Sequence, residues 1–156
     1  MGHDPFQELQ GRIYSDSDFA GCEQTSRSTS GVHTCVLGKN TYFPLAGQSK
    51  RQGCISQSTT EAELVAASFA LRTNGLPLAG ILEYLSGEIP NAQPMVVHCV
   101  GNQAMMEVIR TGRNPTMRHL GRVHGVCIGF MHEQYKLAPD DHPGVHCCRW
   151  SMFHLS

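Results

Sequence analysis

The spacing of apolar residues changes at Ser58, from short strand-like segments before it to helical spacing after it. Residues 11–19 carry apolar side chains around a polar centre and lead into a turn-prone run. The segments 31–37 and 40–45 are rich in Val, Thr and aromatic residues, and two turn residues separate them, which predicts a hairpin. Three antiparallel strands are therefore expected to open the domain.

A helix is predicted to begin at Ser58, whose hydroxyl can cap free backbone amides, while Glu61 and Glu63 in its first turn favour the helix dipole. The apolar stripe continues at helical spacing to Leu71. It is interrupted at Asn74 and Gly75 and then resumes, so a kinked or split helix pair is expected.

The rest of the chain predicts a strand, a helix, a further helix and one last strand. Residues 95–100 form a short apolar run of strand length, and residues 102–109 have helical spacing. A single helix is predicted over 116–135, although three glycines weaken it. A final strand is expected within 145–153, so the whole pattern predicts an α/β chain with a mixed sheet.

Length, charge and cysteine usage narrow the class of protein. The 156 residues suit one domain, and twelve Lys and Arg against thirteen Asp and Glu create no general attraction to nucleic acid or anionic lipid. The uninterrupted apolar stretches fall short of the roughly 18 residues that cross a bilayer, so no membrane span is expected. Seven cysteines without paired spacing predict a reducing intracellular compartment, and an organelle is compatible with this.

Four blocks of sequence carry a resemblance to a known family. They are YSDSDFAGC at 14–22, SRSTSG at 26–31, QSTTEAEL at 57–64 and VGNQA at 100–104. In the same order and at similar distances, they resemble the D-x-D–aromatic–A-G, R-S-T-S-G, S-S-T-E-A-E and V-D-N-Q-A motifs of copia-type (Ty1/copia) retrotransposon ribonuclease H domains. The resemblance spans about residues 11–135 and implies a ribonuclease H-like fold, with residues 1–10 as an N-terminal extension and 136–156 as a divergent, altered C-terminal tail.

The resemblance also implies which residues stand at the nuclease site. Family members cleave the RNA strand of an RNA·DNA hybrid with two divalent metals held by carboxylates. Asp16 and Glu63 match the first two acids, whereas Gly101 stands where the third acid is expected. Near the fourth acid the chain offers only Asp140 and Asp141, which come before the predicted last strand. Asp16 and Glu63 are thus expected to be vestigial catalytic residues that bind Mg²⁺ weakly at most; no other cofactor is implied.

Other charged residues allow two interpretations each. In a copia-like domain Arg113, Arg118 and Arg122 would lie beside the hybrid and could contact phosphates, but a solvated basic face is the favoured alternative. Asp18 and Glu61 are expected to face solvent. A zinc site from His119, His124, Cys127 and His132 is disfavoured, because those spacings diverge around a helix.

The resemblance and the missing acid together predict a non-catalytic, transposon-derived domain that serves as a structural or interaction subunit of a larger assembly. A ribosome, a respiratory complex or a photosynthetic complex would each accommodate such an accessory subunit. The alternatives are a weakly active hybrid ribonuclease and a nucleic-acid-binding module, neither of which the near-neutral charge favours.

Overall fold

A computed structural model describes residues 4–89 and 95–135, and the backbone of residues 146–151. The strands are β1 (Gln10–Asp18), β2 (Thr29–Leu37), β3 (Tyr42–Arg51), β4 (Met95–Val100) and β5 (His146–Ser151). The helices are α1 (Thr59–Ala70), α2 (Leu76–Gly87), α3 (Gln103–Thr111), α4 (Leu120–Val123) and α5 (Ile128–Gln134). Short 3-10 turns occupy Phe6–Glu8 and Pro115–Met117, and a π-helical turn, Leu71–Gly75, joins α1 to α2.

The strands form one mixed sheet in the order β3-β2-β1-β4-β5. β1, β2 and β3 are antiparallel to their neighbours, β4 is parallel to β1, and β5 is antiparallel to β4. The α/β class, the three antiparallel opening strands and the helix–strand–helix order that follows them are confirmed. This topology places the ends of β1 and β4 side by side near the middle of the sheet.

The long helical segment begins as predicted, with the Ser58 hydroxyl accepting a hydrogen bond from the Glu61 amide at 3.1 Å. The interruption predicted at Asn74 and Gly75 is the π turn, and Gly75 allows the segment to approach β1. A Cβ at Gly75 would lie 3.2 Å from the Ile13 side chain. The segment Thr59–Gly87 is long and apolar enough to cross a membrane, but 56% of its apolar window is buried in the fold, as in a core helix.

The prediction of one helix over 116–135 is wrong. The segment instead contains a 3-10 turn, the short helix α4 and then α5. Gly125 lies between α4 and α5 with a φ of +66°, a left-handed conformation that glycine adopts without strain and that ends a right-handed helix. The apolar residues whose spacing suggested one helix are divided between the two short helices α4 and α5.

A buried hydrogen-bonded chain links β1, β4 and the end of α5. The Ser15 hydroxyl lies 2.7 Å from Nε2 of His98, and Nδ1 of His98 lies 2.5 Å from the Tyr135 hydroxyl. Burial lowers the pKa of His98 to about 4, so its imidazole is neutral at physiological pH. This chain fixes the alignment of β1 with β4 just before the point where Asp16 and Gly101 emerge.

The described part of the N-terminal segment packs on the domain. Asp4 accepts hydrogen bonds from the backbone amide of Asn40 at 2.6 Å and from its side chain at 3.0 Å. The hydrogen bond from the Asn40 amide is the main reason why the pKa of Asp4 lies below its usual value. Phe6 packs against the core cluster that contains Ile13 and Leu82. Residues 4–9 therefore close one end of the β2–β3 hairpin.

Candidate functional site

Asp16 and Glu63 meet at one end of the sheet. Asp16 lies near the end of β1 and is exposed, whereas Glu63, in the first turns of α1, is half-buried. Burial, and then the negative charge of Asp16, raise the pKa of Glu63 to about 7. The two acids that the sequence singled out are therefore brought together, and near neutral pH their site holds a proton for part of the time.

Gly101 lies beside this acid pair. It follows β4 directly, and the last residue of β4, Val100, pairs with Ser15, which precedes Asp16. A Cβ at Gly101 would have no heavy atom within 4 Å. Gly101 and Asp16 both line a cavity of about 890 Å³ on the sheet face that carries Tyr14 and His33. Position 101 is therefore placed where a third acid could join Asp16 and Glu63, but glycine has no side chain to offer.

The donor set around the pair is too small for two metals. Oε2 of Glu63 and the Ser17 hydroxyl are both buried; burial and the charge of Asp16 raise the pKa of Glu63, while hydrogen bonding from Ser17 acts in the opposite direction. Within the described part of the chain, no group of three His, Cys, Asp or Glu side chains could hold a metal ion. Two carboxylates and a hydroxyl fit at most one hydrated cation, whereas two-metal hydrolysis needs more oxygen ligands.

Glu61 faces the opposite way from Glu63, and the prediction that it faces solvent is wrong. Its side chain is only 2% exposed; Oε1 lies 2.8 Å from Nε2 of His124, and Oε2 lies 3.1 Å from Nε2 of His119. Two residues along a helix turn the side chain through about 200°, so neighbouring acids serve different partners. Glu61 thereby ties the segment 115–124 to the start of α1.

The three arginines predicted to contact phosphate lie on this tied segment or just before it. Arg113, Arg118 and Arg122 are exposed and belong to none of the ion pairs found among the described residues. Arg110, by contrast, pairs with Glu107. Because Glu61 and Glu63 face opposite ways on α1, Glu61 holds the basic segment on a different side of the helix from the acid pair.

The remaining sequence candidates have local structural roles. The Cys127 sulfur accepts a hydrogen bond from the Phe130 amide at the start of α5, and Nδ1 of His132 lies 2.8 Å from the Ile109 carbonyl oxygen. Asp18 is exposed, as expected. Asp140 and Asp141, the candidates nearest the fourth acid, lie outside the described residues.

Sequence reasoning missed two hydrogen-bonded groups that organise this region. The partners of Glu61 lie 58 and 63 residues away, and Ser15 and His98 are separated by 83 residues. The one local signal was the presence of two acids in a single helical turn, because they cannot both point at Asp16.

The chain matches no protein-family model, no curated protein and no solved structure.

Replacing Glu61 tests its role in holding the 115–124 segment. Glu61→Ala leaves the buried His124 ring without its partner, and we expect a loss of about 2 to 3 kcal/mol in the free energy of unfolding. Hydrogen exchange should quicken most in residues 115–124. The matched control is Glu107→Ala, which removes an exposed acid and should change little. Equal, small effects of the two variants would contradict the role.

A second prediction concerns how the free energy of unfolding depends on pH through Glu63. The measurement is denaturant unfolding in chelator-treated buffer. The pKa of Glu63 is about 7 in the folded chain against 4.5 unfolded, so the folded state is penalised as pH rises through this window. Glu63→Gln does not titrate, and its stability relative to wild type should therefore increase from pH 5 to pH 8. Glu107→Gln should show no such increase, because Arg110 lowers the pKa of Glu107. A constant difference between Glu63→Gln and wild type would contradict the shifted pKa.

Proposed function

We propose that this chain is a ribonuclease H-like domain of copia-type retrotransposon descent that no longer catalyses hydrolysis and serves as a structural or interaction subunit of a larger assembly. The proposal rests on the sequence resemblance and on the geometry around Asp16, Glu63 and Gly101. The observation that most supports the loss of catalysis is the absence of a side chain at Gly101.

The sheet supports the assignment of the fold. Its first three strands form an antiparallel meander, and β4 lies parallel to β1 on the other side. The three family-matched positions, Asp16, Glu63 and Gly101, lie far apart in sequence and come together at one end of this sheet. Random similarity of short motifs would not require their positions to meet, so the convergence favours common descent.

The loss of catalysis follows from what the site can hold. The site offers two carboxylates and no third ligand at position 101, and burial and the charge of Asp16 raise the pKa of Glu63 to about 7, so that its carboxyl is partly protonated near neutral pH. Each missing ligand weakens cation binding and removes charge that would stabilise a transition state, which commonly costs orders of magnitude in rate. Asp16 and Glu63 would retain at most a weakly held, largely hydrated Mg²⁺.

A protein partner is supported by apolar side chains at two surfaces. On α2, Ile81 and Tyr84 are 58% and 75% exposed, and Leu85 continues their stripe. On β3, an edge strand of the sheet, Tyr42 and Phe43 are exposed to a similar extent, one on each face of the sheet. The contiguous stripe on α2 is of the kind that occurs at interaction surfaces. Subunits of a ribosomal, respiratory or photosynthetic complex are the proposed class of partner.

The basic segment favours a second candidate function, a module that binds an RNA·DNA hybrid or RNA with weak cleavage or none. Arg113, Arg118 and Arg122 are exposed, on or just before the segment that Glu61 holds against α1. They would contact backbone phosphates, and such binding would weaken steeply with salt. The net charge of −1 and the acid pair itself, which repels phosphate, make this the second choice.

Hybrid cleavage by three proteins tests the non-catalytic proposal. With a labelled RNA·DNA hybrid and Mg²⁺ or Mn²⁺, we expect wild type to cleave no faster than Asp16→Asn. Gly101→Asp restores the third acid into open space, and we expect it to bind Mn²⁺ more tightly than wild type and to gain cleavage. Gly101→Asn, of the same size but uncharged, is the matched control. Cleavage by wild type that Asp16→Asn abolishes would overturn the proposal.

A further inference from the structure

A second cavity, of about 350 Å³, lies on the helical side of the sheet, away from the acid pair. It opens between the end of β3 and the second half of α1, and we name it the β3–α1 cavity. Two cationic side chains lie at its rim, Lys50 from β3, on the same face of the sheet as Ser30, and Arg72 from the π turn. Arg51 also lines the cavity, but as the next residue of the strand it directs its side chain to the opposite face of the sheet. No Asp or Glu is among its lining residues in the described part of the chain.

The positive charge at this cavity is not neutralised. The chain has a net charge of −1, yet Lys50 and Arg72 lie at one cavity without an acid in its lining among the described residues. Neither residue belongs to the ion pairs found in the same part of the chain. Like charges held close together repel one another, and a bound anion would relieve that repulsion.

Both cations are held in place by the fold. The Lys50 ammonium lies 5.2 Å from the centre of the Phe69 ring, within the range of a cation–π contact. Arg72 donates from Nη1 to the Gly125 carbonyl oxygen at 3.4 Å, a long contact that leaves its other nitrogens available. These contacts lower the entropy lost when the side chains bind a ligand.

The interior of the cavity offers neutral hydrogen bonds and an apolar wall. Ser30 and Ser68 are buried polar residues of its lining. Among the described residues, the Ser30 hydroxyl accepts a hydrogen bond from Gln52 and is not found to donate one, so its hydrogen can be donated to a ligand. Phe69 forms part of the apolar wall. A volume near 350 Å³ falls at the lower end of the range for small-ligand sites, enough for a phosphate with a modest organic group attached.

The helix itself is distorted at this point. Arg72 lies in a five-residue π turn inserted between two α-helices, and π turns inside helices occur frequently at functional sites. Without the extra residue of this turn, the positions that follow Leu71 would rotate around the helix axis. The π turn therefore sets the direction in which Arg72 leaves the helix.

We propose that the β3–α1 cavity binds the phosphate group of a small phosphorylated ligand, with Lys50 and Arg72 as its cationic contacts and the hydroxyls of Ser30 and Ser68 as neutral donors. A phosphate monoester suits this set better than a carboxylate, because its two negative charges and three terminal oxygens match several donors at once. The proposal goes beyond the proposed function and does not depend on it, since none of these residues belongs to the Asp16–Glu63 site.

The test is binding of inorganic phosphate and of a nucleoside 5′-monophosphate to the full chain, followed by amide NMR shifts at constant ionic strength. We expect saturable shifts confined to the cavity lining, including Gly53 and Ser68, and no comparable shifts with the unphosphorylated nucleoside. Arg72→Gln should weaken binding about tenfold, as loss of a charge-assisted hydrogen bond does. Arg110→Gln, an exposed arginine outside the cavity, is the control and should leave affinity unchanged.

Lys50→Gln keeps the test decisive if Arg72→Gln does not fold, because Lys50 lies on an exposed edge strand, and it too should weaken binding. Unsaturable shifts at all basic residues, or equal effects of Arg72→Gln and Arg110→Gln, would overturn the proposal. A further outcome would also overturn the proposal: a single-stranded RNA without terminal phosphates binds more tightly than the monophosphate, and the monophosphate fails to displace it. The cavity would then recognise a nucleic-acid backbone.

Discussion

Two hydrogen bonds that the buried carboxylate of Glu61 accepts organise the functional end of this domain. They join the first turn of α1 to His119 and His124, in a segment that consists of a 3-10 turn and the four-residue helix α4. The same turn of α1 presents Glu63 to Asp16 on another side, and His124 lines the β3–α1 cavity. Both carboxylate oxygens of Glu61 thus have a hydrogen-bond partner. The positions of the acid pair, the basic segment and the second cavity depend on these two bonds.

Local signals in the sequence were sufficient for most elements of the fold, but not for the segment 116–135. Ser58 caps α1 because its hydroxyl needs only the amide three residues ahead, and the strand patterns reflect contacts repeated at short range. The helix predicted over 116–135 failed because apolar spacing cannot tell one helix from two. Gly125 adopts a positive φ there, and the turn it forms is supported by tertiary contacts such as the one from Arg72.

The candidate site was predictable only where the resemblance named its residues. Asp16, Glu63 and Gly101 were identified by motif, and their approach requires the parallel pairing of β1 with β4, which no local pattern encodes. Glu61 looked like a solvent-facing neighbour of Glu63, because its partners lie about sixty residues further along the chain. The raised pKa of Glu63 likewise arises from burial and from Asp16, two tertiary effects.

The two acids, the open position at Gly101 and the exposed apolar stripe on α2 are the observations behind our proposal that this chain acts through its surface and not through catalysis. The most direct test is the apparent mass of the epitope-tagged chain in gently prepared extracts of its native cells, compared with that of an Asp16→Asn, Glu63→Gln double variant. Our account predicts that both forms elute with the same assembly, far above the mass of one chain, and that Tyr84→Glu releases the chain from it. Elution of the wild-type protein as a free monomer would contradict it.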